Sequence, residues 1–231
     1  MKDNPERGWI KYERLENEFL NATLYVPLVD AHKQVWSEFF GDLLNKIGNS
    51  IDSFLHMMID DYDFDTEYQH VSTLRKSKRK RDITYFRDFF EPIFQLSDSK
   101  VDVSYGLTEY GIIYPFKKFG NDSVPDWWNS YNHVKHQWFD CIQEATLQHT
   151  IEALAGLFML NVLYKKSRKY LLRENVIFCG YDEKDFGKYR FEDILTTSDV
   201  GIPKDWSNFD FTAETPLFTH VFRIDQNKQY R

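Results

Sequence analysis

The sequence predicts a mainly α-helical fold: a helical bundle with one small β-hairpin inserted near residues 101–116 and an irregular C-terminal extension. Three observations carry this. Apolar residues recur every three to four positions in four separate segments, as in helices that bury one face. The period falls to two only at Val101, Val103 and Tyr105 and again at Ile112 and Tyr114, with Gly106 and Gly111 between them. A chain of 231 residues with 17% aromatic side chains can fill one core. Residues 1–166 are therefore expected to form the bundle domain, with 167–231 packed on it.

The totals narrow the function classes. With 29 basic and 36 acidic residues the formal net charge is −7, which argues against a protein that coats nucleic acid indiscriminately. Two cysteines, Cys141 and Cys179, cannot make a disulfide framework, and a reducing, cytoplasmic setting is expected. The polar start of the chain has no apolar leader. The most apolar stretch, residues 153–164, is broken by Asn161 and followed by Lys165 and Lys166. It falls short of the roughly 20 apolar residues a membrane span needs, so it is read as a core helix and no membrane contact is expected.

Taken in order, residues 13–28 carry a helical stripe of Leu15, Phe19, Leu20, Ala22, Tyr25 and Val26, ended or kinked by Pro27. Asp30 is spaced as an N-cap for a long helix over 31–60. There Val35, Phe39, Leu43, Ile47, Ile51, Leu55 and Ile59 recur every fourth residue, and Gly41 and Gly48 offer room for a neighbouring helix. Asp52 borders this stripe. It is read as a solvated edge position, the sharper alternative being an acid turned towards the histidines further on. Residues 60–67 alternate acids with aromatics but lack the glycine and terminal glutamate of a calcium loop. From Arg75 to Arg81 every residue but Ser77 is basic, which reads as a loop or as a contact for RNA phosphates or an acidic partner. Asp82 opens a helix with Ile83, Phe86, Phe89, Phe90, Ile93 and Phe94 on its apolar side. Ser123 and Asp126 are spaced as a capping box around Pro125, predicting a helix from about residue 124. A second helix over 141–164 follows, separate from it or as one bent helix. Beyond, residues 176–179 and 218–222 read as short strands.

Chemistry concentrates in the helix after Pro125. At 100° per residue, Asn129, Asn132, His133 and His136 share one face, with Lys135 to the side. A histidine there can move protons near neutral pH, and the bland reading is the solvated face of an amphipathic helix. A zinc pair on a helix is usually spaced by four with a glutamate base between, so no metal and no cofactor is expected from His133 and His136. Phosphate loops, dinucleotide fingerprints and Gly-x-Ser-x-Gly elbows are absent from the sequence. Trp127, Trp128 and Tyr131, of types enriched in interface cores, suggest a homodimer burying this region.

The run Tyr131-Asn132-His133-Val134-Lys135-His136, on a late helix ahead of a small-residue-rich one, resembles the HEPN superfamily. These are helical-bundle domains common in prokaryotic toxin, phage-defence and RNA-processing systems. The resemblance implies a homodimer and metal-independent endoribonuclease chemistry, with His136 as acid–base group and Asn132 matching the polar residue of the motif. His133 would be the reserve acid–base group and Lys135 the cation for the phosphate. Tyr131 stands where active members carry arginine, and a phenol cannot make the bidentate phosphate contact of a guanidinium. The alternative is a non-catalytic helical interaction module that has lost this arginine, with RNA or a protein as partner.

Overall fold

A computed structural model describes residues 5–61, 69–105, 110–179 and 211–222. The helices are α1 (Pro5–Thr23), α2 (Glu38–Asp60), α3 (Gln69–Lys76), α4 (Ile83–Phe94), α5 (Asp126–His136), α6 (Trp138–Cys141), α7 (Leu147–Leu163) and α8 (Lys165–Arg173). The strands are β1 (Val101–Val103), β2 (Ile112–Ile113), β3 (Ile177–Cys179), β4 (Phe211–Glu214) and β5 (Phe218–Phe222). The fold is mainly helical with a small antiparallel sheet, and no helix among the described residues is long and apolar enough to cross a membrane.

The core is built around α7. Over residues 153–163 it is buried on every side, so this stretch sits inside, and α1, α2, α5 and α8 pack against the helix. Its start is set by Thr146, whose hydroxyl accepts from the His149 backbone N–H. The helix expected over 141–164 is thus shorter. The chain leaves α5 at His136, turns through α6 and a 3-10 turn over Ile142–Glu144, and only then enters α7. The expected helix over 31–60 also starts late. Ser37 caps it by accepting from the Phe40 N–H, because Trp36 forms a β-bridge to Thr146 and holds the preceding backbone extended. Asp30 caps nothing: it opens a 3-10 turn and pairs with Lys33 at 2.6 Å. The first helix begins at Pro5 rather than near residue 13 and ends at Thr23, which brings Trp9 and Tyr12 into the core and leaves Tyr25 outside. Asp82 caps α4 as expected, accepting from the N–H groups of Thr84 and Tyr85.

The hairpin forms, with Val101 opposite Ile113 and the left-handed Gly111 just before β2. It does not stand alone. Strand order is β2-β1-β5-β4-β3, so the hairpin and the strands of the C-terminal region make one sheet. Residues 62–67 of the acidic stretch, the hairpin tip at Gly106, and residues 180–210 and 223–231 of the extension lie outside the described residues.

A buried carboxylate helps join the sheet to the helices. Glu16 on α1 is 4% exposed, and its Oε1 accepts from the Tyr12 hydroxyl (2.8 Å), the Thr215 hydroxyl and the Leu217 N–H (3.2 Å) in the β4–β5 turn. Burial raises its pKa above the ordinary carboxylate value, while the hydrogen bonds from Thr215, Tyr12 and Leu217 pull it back. Its own contribution to stability is therefore greatest below the ordinary carboxylate pKa and shrinks as pH rises through the raised one. A hydrogen bond to a charged group is worth about 1.5–3 kcal/mol, so Glu16→Ala is expected to speed amide exchange at Leu217 by about 10- to 100-fold. Unchanged exchange there would mean strand pairing alone holds the turn.

Candidate functional site

Helix α5 starts at Asp126, and the capping box does not form. Pro125 occupies the cap position in extended geometry, and a residue before proline is pushed out of the helical region, so Val124 cannot begin a helix. The Ser123 hydroxyl donates instead to the Asn121 carbonyl, and Asp126 pairs with Lys118 at 2.6 Å.

The helix has two faces with separate fates. Trp127, Trp128, Ser130, Tyr131 and Val134 face inward. The Trp127 indole N–H donates to the Pro115 carbonyl at 2.7 Å. Trp127, Trp128 and Tyr131 are 1%, 5% and 1% exposed within a single chain, so they are core residues here and not free anchors for a second copy. The face of Asn129, Asn132, His133 and His136 points outward, as the helical wheel predicts, with only Asn132 partly covered. It is a largely exposed polar surface.

Tyr131 and Lys135 are brought together. The Tyr131 hydroxyl donates to Asn49 Oδ1 at 2.9 Å and accepts from Lys135 Nζ at 2.8 Å, while the ammonium also lies 5.0 Å from the ring centroid. Burial raises the phenol's pKa, the hydrogen bond and charge of Lys135 oppose that, and the Asp52 carboxylate adds to it. Among the described residues Asp52 makes no ion pair with His133 or His136. Half-exposed, it lies 3.9 Å from His56 one turn along its own helix.

The other motif residues go separate ways. Asn132 Nδ2 donates to the Trp128 carbonyl of its own helix at 3.1 Å. His133 Nδ1 is 2.9 Å from Glu144 Oε2. His136 is exposed at the helix end and makes no hydrogen bond or ion pair among the described residues. Cyclising cleavage of RNA needs one group to take the 2′-OH proton, another to protonate the leaving oxygen, and a cation on the phosphate. Within one chain, His133, one turn from His136, is paired with Glu144, and the Lys135 ammonium is held on Tyr131.

A second polar network runs behind α5, and the sequence reading missed it. His149 Nδ1 lies 2.9 Å from Ser130 Oγ and 2.8 Å from the Glu144 carbonyl, so Glu144 touches one histidine by its side chain and another by its backbone. One turn on, Glu152 accepts from Gln148 at 2.9 Å. Burial raises the Glu152 pKa, with Gln148, His149 and Lys33 opposing and Asp126 adding. Tyr110 beside it is also raised, by burial and then by the Glu152 and Asp30 carboxylates, and Lys33 sits 5.1 Å over its ring. The available signal was the three-residue spacing of His149 and Glu152 on a helix capped at Thr146. Among the described residues no three His, Cys, Asp or Glu side chains gather as metal ligands.

No protein-family model, no curated protein and no solved structure matches this chain.

Proposed function

We propose that this chain is a non-catalytic helical interaction protein, HEPN-like in layout, of a bacterial stress or phage-defence setting, and cytoplasmic. The observation that carries this reading is the position of Tyr131. The residue standing where a nuclease arginine would be is sunk between α5 and α2, its hydroxyl bound to Asn49 and Lys135. That arrangement consumes the nearest cation and presents nothing to a phosphate. It joins two helices, which is what an interaction module needs from its scaffold.

One observation favours a second reading, a metal-independent endoribonuclease acting as a homodimer. His136 is exposed and uncommitted, so a partner copy could face it with its own His136 across the polar side of α5. Incubation of total cellular RNA with wild type and His136→Ala separates the two. The interaction reading expects equal background cleavage from both. A drop of about 10² to 10⁴-fold in His136→Ala, untouched by chelator, would establish the nuclease instead.

A further inference from the structure

The basic run from Arg75 to Arg81 divides by residue type. Each arginine is engaged. Arg75 donates to the Asp61 carbonyl and lies 5.7 Å from the Phe89 ring centroid. Arg79 pairs with Asp88 at 2.7 Å and Arg81 with Asp60 at 2.7 Å. Two of these contacts converge on the C-terminal end of α2, where the helix dipole also favours cations. Lys166, from the far side of the sequence, takes the Asp61 carboxylate at 2.8 Å.

The lysines between the arginines are left over. Lys76, Lys78 and Lys80 are exposed and form no ion pair among the described residues. Lys80 is felt by the Asp82 carboxylate, but that group is already occupied as the cap of α4. The segment is thus fastened by rigid forked guanidiniums, and it displays flexible point charges at alternate positions.

What such a strip fits follows from what is missing beside it. Protein interfaces take their energy from a few aromatic or aliphatic anchors in desolvated pockets. None of the exposed large apolar side chains of the described residues falls between positions 69 and 94, and Tyr85 and Phe89 beneath the strip are 1% and 0% exposed. Among the described residues, no exposed ring of this segment is offered for a base to stack on, either. Regularly repeated, unpaired cations without apolar anchors match a regularly repeated anion. We infer that Lys76, Lys78 and Lys80 form a contact strip for the phosphodiester backbone of a single-stranded nucleic acid, held without base readout. The net charge of −7 opposes this from a distance, so the contact is weak and steeply salt-dependent. It does not rest on the reading of α5, because binding at the strip needs no cleavage.

The test is fluorescence anisotropy of the full chain with short labelled oligouridylate and oligothymidylate. Three phosphate contacts on a single strand predict a slope of log K against log salt near −2, at about 0.7 per contact, between about 50 and 200 mM. The triple variant Lys76→Gln/Lys78→Gln/Lys80→Gln is expected to lose at least about tenfold in affinity and most of that slope, with its thermal midpoint unchanged. Each single variant should remove about 0.7 of the slope. Similar affinity for the two oligonucleotides supports backbone contact, whereas strong preference for either overturns it. Absence of binding at the lowest salt overturns the proposal, as does undiminished binding by the triple variant. Labelled polyglutamate bound as tightly, and lost in the same triple variant, would make the strip a contact for acidic protein and overturn it too. Cleavage, measured separately, decides the α5 reading without touching this one.

Discussion

Lowering the pH from 6.5 to about 4 is expected to remove about 3 kcal/mol of stability through His220 alone. His220 lies on β5 opposite Ala213, 5% exposed, on the same face as Phe218, which packs against Phe158 of α7. Burial pushes its pKa down to about 4 from 6.5; a hydrogen bond to the Lys100 backbone opposes this, and the Lys100 charge adds to it. The folded chain therefore holds this histidine neutral while the unfolded chain protonates it. The stability is fully present above the unfolded pKa, and it is lost as pH falls through the folded one. Glu16 and Glu152, with raised pKa values, work in the opposite direction. Urea denaturation of wild type and His220→Phe at neutral pH and near pH 4 cancels these shared terms. The difference between the two proteins should shift by about 3 kcal/mol between the two pH values. Parallel profiles would show that His220 does not titrate against folding.

Gly48→Ala is expected to destabilise the fold by about 1–2 kcal/mol, although alanine is the better helix former by about 1 kcal/mol. A Cβ at Gly48 would lie 2.3 Å from Tyr131 Cδ2 and 2.5 Å from Cγ. Those atoms are near the root of a ring fixed at its other end by Asn49 and Lys135, so the ring cannot swing aside. Either α5 lifts away from α2 or the hydroxyl loses its partners. Gly156→Ala is the internal control. Its Cβ would meet the Cζ tip of Phe116 at 3.2 Å, with Phe116 Cε2 at 3.5 Å and Pro115 Cβ at 3.6 Å in ordinary contact, so the helix preference and the mild contact roughly offset. Equal thermal midpoints for the two variants would refute the special role given to the Gly48 contact.

The sequence was most informative where local physics decides. The fourfold spacing of Leu43, Ile47, Ile51 and Leu55 is buried in α2, Asp82 caps α4, and Gly48 admits a neighbouring helix. The polar wheel of α5 also faces as drawn. The reading failed where distant parts decide. Nothing near Trp36 announces that Thr146 will pair with its backbone and delay α2 to Ser37. Nothing near Tyr131 says that it will meet Asn49, some eighty positions away. A helical wheel gives relative angles on one helix. Whether aromatics beside a polar face turn to the core or to a second molecule depends on what α2 and α7 leave open. The network of Ser130, Glu144 and His149 was hidden for the same reason, since the breaks between α5 and α7 are what fold these residues back on one another.

Strand β5 lies between β1 and β4, yet Asp102 of β1 meets Thr219 of β5 across more than a hundred positions of chain. Pairing over so long a separation forms slowly, because loop closure precedes any reward. During synthesis β1 and β2 emerge well before β5, and until it arrives one side of β1 is an open row of backbone donors and acceptors. Such an edge recruits other chains. The time between translating β1 and docking β5 is thus the interval in which this protein is most exposed to aggregation, and its yield in cells should depend on translation speed and chaperone supply more than its final stability suggests.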